Sequence, residues 1–143
     1  MKTNQQTVFL VDDDAVFLKL LAIDFQMQTN FKVLTFETGE KCIENLQLQP
    51  DLIILDYHLD GVEKGVMNGI ETLDKIKDFN TTIPVIMLSS QDKIEVAIDC
   101  MHHKAHDYIV KSETAFLKLQ NNIQSIFNFK QVEKKLNWYM DRM

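Results

Sequence analysis

The sequence predicts an α/β domain in which a parallel sheet is covered by helices on both faces. Two observations lead to this prediction. Residues 52–55 are four consecutive apolar residues between Asp51 and Asp56, which is typical of a strand buried on both faces. Similar short apolar runs alternate along the chain with segments of helical periodicity, and this alternation implies parallel strands joined by helical crossovers.

Length and composition fit one globular domain. The chain has 143 residues, enough to bury a core, and its net charge of −6 argues against direct contact with nucleic acid. The N-terminal residues lack the apolar core of a signal peptide, and no apolar run approaches the length of a membrane span. Cys42 and Cys100 lie in helical patterns without paired spacing, which predicts free buried thiols. We therefore expect a cytoplasmic protein without direct membrane contact.

The first half of the chain reads as βαβαβ. Residues 7–11 form an apolar run that ends in three carboxylates, and Asp14 is placed to cap the helix that follows. That helix is predicted to be amphipathic. Residues 31–36 read as a strand, and a helix capped by Thr38 is predicted to run to about Leu48, before Pro50. The predicted apolar face of the first helix contains Val16, Leu20, Ile23 and Met27.

The second half continues the alternation. An irregular stretch from Tyr57 to Asn68 is followed by a helix from Gly69 and a strand over residues 83–88. Asp92, with Glu95 three residues later, predicts a capped helix start. Residues 107–110 read as the fifth strand, and the remainder from about Glu113 reads as helix. The predicted apolar stripe of the fourth helix contains Ile94, Ala97, Ile98 and Met101.

Four of the five predicted strands end in a reactive polar group, and parallel strands bring their carboxyl ends to one edge. The groups are Asp12 and Asp13, Asp56, Ser89 and Lys111. Adjacent carboxylates favour Mg²⁺, which prefers oxygen ligands. A carboxylate such as Asp56, which we expect to be ionised near neutral pH, can attack a phosphoryl group. Lys111 would then stabilise the negative charge of the transition state, and Ser89 would hydrogen-bond a phosphoryl oxygen.

These residues resemble the receiver domain of bacterial two-component response regulators. The matching motifs are Val11-Asp12-Asp13, Leu55-Asp56, Pro84 followed by Ser89, and Tyr108-Ile-Val-Lys111, within residues 7 to 128. The resemblance implies a flavodoxin-like (βα)5 fold with strand order 2-1-3-4-5. It also implies that Asp56 accepts a phosphoryl group from a histidine kinase or a phosphotransfer protein. Asp12, Asp13, Asp56 and the backbone carbonyl of His58 would bind Mg²⁺, while Ser89 and Tyr108 would form the switch.

The sequence departs from the family pattern at four places. Leu59 and Asp60 stand where the family often has Met-Pro. The loop after the acceptor carries an insertion around residues 60–68, predicted to be a mobile surface loop that supplies no catalytic group; either it modulates partner choice or phosphate lifetime, or it is a tolerated insertion without a role. Lys111-Ser112 replaces the usual Lys-Pro, and because a cis bond is costly without proline, we predict a trans bond. Lys104-Ala105 replaces the usual Gly-Ala.

A phosphorylated switch would catalyse only its own phosphoryl transfer and dephosphorylation, and two other functions fit the sequence less well. A degenerate receiver would act only as a binding or dimerisation module, but the complete acidic set argues against it. A haloacid-dehalogenase-like phosphohydrolase would place a second Asp where this chain has His58. His102, His103 and His106 could suggest a metal site, but a polar helix end is the favoured interpretation.

The C-terminal segment is longer than a receiver's fifth helix requires, so we expect a receiver over residues 1–128 and a helical extension over 129–143. The core-facing stripe contains Phe116, Leu119, Ile123 and Ile126. Further apolar residues follow in a shifted phase at Phe129, Val132, Leu136, Tyr139 or Met140, and Met143. Either one helix continues or it breaks near Asn128. This stripe, with Trp138, predicts pairing with a second copy or with a downstream partner.

Overall fold

The computed structural model describes residues 5–142 and contains a five-stranded parallel sheet. The strands lie in the order β2-β1-β3-β4-β5, as predicted. Their bounds are β1 Thr7–Val11, β2 Lys32–Phe36, β3 Leu52–Asp56, β4 Val85–Ser89 and β5 Asp107–Val110. Helices connect successive strands, and their bounds are α1 Ala15–Gln28, α2 Gly39–Glu44, α3 Gly69–Phe79 and α4 Ile94–His102. A short 3₁₀ helix, Leu46–Leu48, extends α2 over the predicted range.

The sheet register determines where the functional residues lie. All five residues of β3 are buried, and Asp56 is paired with Leu88 of β4. On the other side of β3, Leu55 is paired with Val11, so Asp12 follows directly beside the end of the central strand. Burying a large aliphatic side chain contributes about 1.5–3 kcal/mol, so β3 is fixed by its neighbours on both faces. Its carboxyl end is therefore a rigid platform for Asp56.

Three of the four helix starts in this part of the chain have side-chain caps. Asp14 accepts hydrogen bonds from the amides of Val16 and Phe17, both at 3.1 Å. Thr38 caps α2, and Asn68 forms a reciprocal capping box with Glu71 on α3.

The predicted cap of α4 by Asp92 is wrong. The N-cap is Lys93, in an extended conformation, and its side chain makes no capping bond. Asp92 lies one residue too early for its oxygen to reach the first free amides of the helix.

The predicted apolar faces of α1 and α4 are also wrong. In α1, Val16 and Met27 are 70% and 77% exposed, and the buried residues are Leu18, Leu21, Ala22 and Phe25. Apolar residues surround most of this helix, so periodicity alone cannot choose the buried face. In α4 the predicted stripe of Ile94, Ile98 and Met101 is largely exposed, and Val96 and Cys100 are buried instead.

Two of the departures from the family pattern lie near the ends of β5. No peptide bond in the described range is cis, so the Lys111–Ser112 bond is trans as predicted. At the other end of the strand, Lys104 adopts a positive φ of 72°. The receiver family usually has glycine at this position. Glycine adopts a positive φ without strain, whereas lysine, which carries a Cβ atom, disfavours it. Cys42 and Cys100 are free and buried, as predicted.

The fifth helix, α5 (Ala115–Asp141), lies in a separate compact unit that begins at Glu113. It is one continuous helix, so the predicted alternative of a break near Asn128 is wrong. Ala115, Leu119, Ile123 and Ile126 are buried, whereas all residues from 131 to 142 are exposed. Within the described residues, no helix is both long and apolar enough to cross a membrane.

Candidate functional site

Three carboxylates meet where β1 and β3 end. Ligand oxygens of Asp12, Asp13 and Asp56 lie within 4.8 Å of one another. Asp12 and Asp56 are only 2% and 3% exposed, while Asp13 is half-buried. Three carboxylates this close repel one another, and hard oxygen ligands of this number suit Mg²⁺. The donor set therefore fits the metal that the sequence predicts.

Lys111 reaches this group from the residue after β5. Its Nζ lies 2.7 Å from Oδ2 of Asp12 and 3.4 Å from Oδ1 of Asp56. Burial by itself lowers the pKa of Lys111, but the bonds and charges of Asp12 and Asp56 outweigh it, and the net pKa is raised. The ammonium is therefore fully charged at neutral pH and bridges the two buried carboxylates.

The acceptor candidate Asp56 has a perturbed pKa. Burial, followed by the negative charge of Asp12, raises the pKa of Asp56 to about 7, although Lys111 and the backbone of His58 act in the opposite direction. The expectation that Asp56 is fully ionised near neutral pH is thus wrong for the cation-free protein. The reference value on which it relied describes an exposed carboxyl group.

Phe17 is a site residue that the sequence analysis missed. It lies in the first turn of α1, and Nζ of Lys111 is 4.6 Å from the centroid of its ring. An ammonium group over an aromatic face is stabilised by the ring quadrupole. The aromatic ring so close to the acidic run was the one available signal in the sequence.

The inserted loop also contacts the acidic group. The backbone amides of Gly61 and Val62 donate to Oδ2 of Asp13 at 3.1 and 3.2 Å. At its far end the amide of Met67 donates to Glu40 at 2.8 Å. The loop therefore contacts a predicted metal ligand through its backbone amides, and that it supplies no catalytic group stays a prediction. Backbone amides leave no signature in a sequence, so this contact could not be predicted.

The start of α3 lies directly against the end of β3. The amide of Gly69 donates to the carbonyl oxygen of Tyr57 at 3.1 Å. A Cβ atom at Gly69 would lie 2.6 Å from that oxygen and closer still to the carbonyl oxygen of Asp56. Only glycine allows the helix to begin this close to the acceptor.

The two predicted switch residues share a neighbour. The buried hydroxyl of Ser89 accepts a hydrogen bond from the amide of Gln91 at 3.0 Å. The phenol of Tyr108 donates to the carbonyl oxygen of the same Gln91. The backbone of Gln91 therefore connects Ser89 at the end of β4 with Tyr108 in β5, and this connection was not predicted.

A polar chain extends from the residue after the acceptor to the end of α4. The hydroxyl of Tyr57 donates to Asp99 at 3.1 Å, and His103 lies 3.6 Å from Asp99 and 2.7 Å from Asp74. This contact supports the interpretation of the histidines as a polar helix end. The side chain of His58 packs edge-on to Tyr57, with 4.9 Å between ring centroids. That the backbone carbonyl of His58 binds a metal stays a prediction.

Comparison with known proteins agrees with this fold. The family model described as "Response regulator receiver domain" matches residues 8–124. The chain is 30% identical to the chemotaxis protein CheY of Bacillus subtilis over 104 residues, covering 71% of this chain and 82% of that protein. A CheY-like receiver domain protein from Methanospirillum hungatei superposes with a TM-score of 0.74 at 17% identity, covering 90% of this chain and 98% of that one. This chain therefore belongs to the response regulator receiver domain family.

Other relatives carry the receiver as one part of a longer protein. The chain is 37% identical over 108 residues to a protein-glutamate methylesterase/protein-glutamine glutaminase of B. subtilis, covering 73% of this chain and 29% of that protein. It spans less than a third of the length of such relatives. Receiver domains are switch modules of two-component signalling, and this similarity concerns the receiver alone.

Proposed function

We propose that this chain is a phosphorylation-dependent signalling switch whose phosphoryl acceptor is Asp56. The observation that carries the proposal is the environment of this one buried carboxylate. Two further carboxylates lie within 4.8 Å and the ammonium of Lys111 within 3.4 Å. Such an arrangement suits transfer of a phosphoryl group to a carboxylate, because it combines a nucleophile with positive charge placed for the transition state.

The proposed donor is a phosphohistidine on a sensor histidine kinase or on a phosphotransfer protein. A carboxylate oxygen of Asp56 attacks phosphorus, the P–N bond breaks, and the histidine leaves with the electron pair and takes up a proton. Asp12, Asp13, Asp56 and the His58 carbonyl would hold Mg²⁺, which supplies positive charge to the phosphoryl oxygens. Lys111 supplies a second positive charge from the carboxyl end of β5, on the same edge of the sheet.

Cation binding and the chemistry are linked through Asp56. In the cation-free state burial and the charge of Asp12 raise the pKa of Asp56 to about 7, which favours its protonated form more than in an exposed carboxyl group. A protonated carboxyl is a poor nucleophile. Positive charge beside Asp56 favours its ionised form, so the acceptor becomes reactive when the acidic group is filled. A cation at the acidic group thereby increases the ionised fraction of the acceptor.

The proposed switch passes through Gln91. Once Asp56 carries a phosphoryl group, the Ser89 hydroxyl can donate its proton to a phosphoryl oxygen, and any movement of Ser89 towards that oxygen also pulls on its hydrogen bond from the Gln91 amide. Because the Gln91 carbonyl also holds the Tyr108 hydroxyl, a shift of this backbone segment changes the position of Tyr108. The outer face formed by α4 and β5 then differs between the two states.

The direct test is magnesium-dependent labelling by acetyl phosphate, followed by intact mass measurement. We expect the wild-type chain to gain the mass of one phosphoryl group, and Asp56→Asn to gain none. Asp60→Asn, an exposed carboxylate of the nearby loop, serves as the matched control and should be labelled normally. Normal labelling of Asp56→Asn would overturn the assignment. If the wild-type chain forms no adduct with acetyl phosphate or with other small-molecule phosphoryl donors, the result would support the degenerate receiver instead.

A further inference from the structure

The C-terminal part of α5 carries an apolar stripe that is exposed to solvent. We call residues 128–142 the α5 tail. Six of its apolar side chains are more than half exposed, and four of these form the stripe: Phe129 66%, Val132 64%, Leu136 56% and Tyr139 54%. Large side chains in a continuous row are uncommon on the surface of a protein that acts alone, and such rows mark interfaces.

The spacing of this stripe is that of a coiled coil. Successive positions lie three, four and three residues apart, which is a heptad pattern with Phe129 and Leu136 at position a and Val132 and Tyr139 at position d. In the sequence the pattern continues at Met143, which lies outside the described residues. Upstream, the buried residues Ala115, Leu119, Ile123 and Ile126 follow steps of four, four and three. Two steps of three then separate Ile126 from Val132, and they rotate the tail stripe by roughly 100° around the helix.

We propose that the α5 tails of two copies of this chain form a parallel two-stranded coiled coil along this stripe. A helix with its apolar residues at a and d is complementary to itself, because each side chain fits into a gap of an identical partner in register. The helical conformation is already established over Ala115–Asp141, so the tail extends an existing helix and does not need its own nucleation.

The charges beside the stripe favour the parallel orientation. An antiparallel pair that matches Phe129 with Tyr139 and Val132 with Leu136 has its twofold axis at residue 134. Glu133 at position e and Lys135 at position g flank that axis. Glu133 would therefore lie near Glu133 of the second copy and Lys135 near Lys135 of the second copy, and both contacts would be between like charges. In the parallel pair, Glu133 lies beside Asn128 of the second copy, and Lys135 lies beside Met140. Neither of these contacts is repulsive.

The remaining aromatic residue of the tail lies off the stripe. Trp138 occupies position c, and its ring is covered by the guanidinium of Arg142, 4.0 Å from the ring centroid. It also packs edge-on against Tyr139, with 4.9 Å between centroids. Because Trp138 has contacts within its own helix, it does not need to enter the interface. It is the single tryptophan of the chain and reports on the tail by fluorescence.

The first test is sedimentation equilibrium of the full unphosphorylated chain over a wide concentration range. We expect a monomer–dimer equilibrium that Leu136→Glu weakens at least about a hundredfold. The matched control is Gln131→Glu, which introduces the same charge at an exposed position away from the stripe and should leave the equilibrium unchanged. Circular dichroism and thermal melting confirm that Leu136→Glu is folded. A wild-type chain that stays monomeric at several hundred micromolar, or a Leu136→Glu variant that dimerises normally, would overturn the proposal.

The second test determines orientation by disulfide trapping. In the parallel register Leu136 meets Leu136 of the second copy and Val132 meets Val132, so Leu136→Cys and Val132→Cys should each cross-link alone under mild oxidation. Gln131→Cys is the control and should not, and the wild type accounts for any background from the buried Cys42 and Cys100. Cross-linking only when the Val132→Cys and Leu136→Cys chains are mixed would overturn the parallel arrangement. Both tests are independent of phosphorylation, so their outcome does not depend on the function proposed for Asp56.

Discussion

The ring of Phe17 lies against the ammonium group of Lys111, with 4.6 Å between Nζ and the ring centroid. The contact connects the first turn of α1 with the end of β5 and holds the lysine side chain where it can reach both buried carboxylates. It also stabilises a partly buried cation that has lost much of its water. Cation–π contacts contribute about 0.5–2 kcal/mol, depending on burial.

Phe17→Leu should therefore slow phosphorylation without unfolding the chain. We expect the rate of labelling by acetyl phosphate at saturating Mg²⁺ to fall about two- to fivefold, the equivalent of roughly 0.5–1 kcal/mol. Phe17→Tyr retains the aromatic face and should retain the rate. If Phe17 had a purely structural role, Phe17→Leu would leave the NMR titration of the Lys111 ammonium unchanged. We expect the pKa of Lys111 to fall in this variant, because a contact that stabilises the charged form is lost. An unchanged rate and an unchanged titration would contradict the positioning role.

The raised pKa of Asp56 makes the stability of the cation-free protein depend on pH. A folded-state pKa of about 7, above the unfolded value of 3.8, means that the folded state holds this proton more tightly. The resulting stability is fully present below pH 4 and is lost as the pH rises through 7. Asp56→Asn removes the cost of the buried charge. At pH 8 the free energy of unfolding of the variant should exceed that of the wild type by a few kcal/mol at most, and its melting temperature should be higher. This difference should shrink towards pH 5.

Thermal melts of both proteins in chelator-treated buffers from pH 5 to 8 test this expectation. Addition of Mg²⁺ at pH 8 should stabilise the wild type more than Asp56→Asn, since the cation neutralises the carboxylate that the variant lacks. A difference between the two proteins that stays constant over this pH range would show that the Asp56 proton is not responsible.

The inserted loop contacts Asp13 through backbone amides, so we expect the stability of the protein to depend on the Val62 amide and not on the Val62 side chain. Val62→Pro removes an amide that donates to Oδ2 of Asp13, whereas Val62→Ala retains it. Hydrogen bonds to charged groups contribute about 1.5–3 kcal/mol when buried, and at this exposed position we expect about 1 kcal/mol of lost stability. Urea unfolding of the cation-free protein measures it.

A double-mutant cycle identifies the partner of that amide. In an Asp13→Ala background, Val62→Pro should cost no more than Val62→Ala, because the acceptor is gone. An equal cost in both backgrounds would mean that proline disturbs the loop for reasons unrelated to Asp13.

The left-handed conformation of Lys104 predicts a stabilising substitution. A residue with a Cβ atom loses about 1–2 kcal/mol in this region, while glycine loses about 0.5–1 kcal/mol through its freer unfolded state. Lys104→Gly should therefore raise the free energy of unfolding by about 0.5–1 kcal/mol. Lys104→Ala, which keeps a Cβ atom, should give no such gain. The urea midpoint, at an unchanged dependence on denaturant, measures the effect.

Most of the fold and the acidic group could be predicted because both depend on short-range patterns. A buried strand followed by a carboxylate, repeated along the chain, places Asp12, Asp13 and Asp56 on one edge of a parallel sheet, and the resemblance to the receiver family implies that β1 and β3 are neighbours there. The contacts that could not be predicted depend on tertiary structure. The pKa of Asp56 depends on how deeply β3 is buried, and the amide of Val62 reaches Asp13 only through the path of the loop. The prediction of the buried face of α1 was wrong because this helix is apolar on nearly every side. Only packing decides that Leu18 is buried and Val16 is exposed.

The close approach of Gly69 to the carbonyl oxygens of Asp56 and Tyr57 makes the two sides of the acceptor mechanically unequal. Towards α3, the strand end is braced by a helix that begins in direct contact with it and is locked by the reciprocal bonds of Asn68 and Glu71. Towards α4, the neighbouring helix starts at Lys93 without any side-chain cap. If Asp56 accepts a phosphoryl group as proposed, we expect the α3 side of the strand end to move less than the α4 side, because only α3 begins in direct contact with that end and has a side-chain cap.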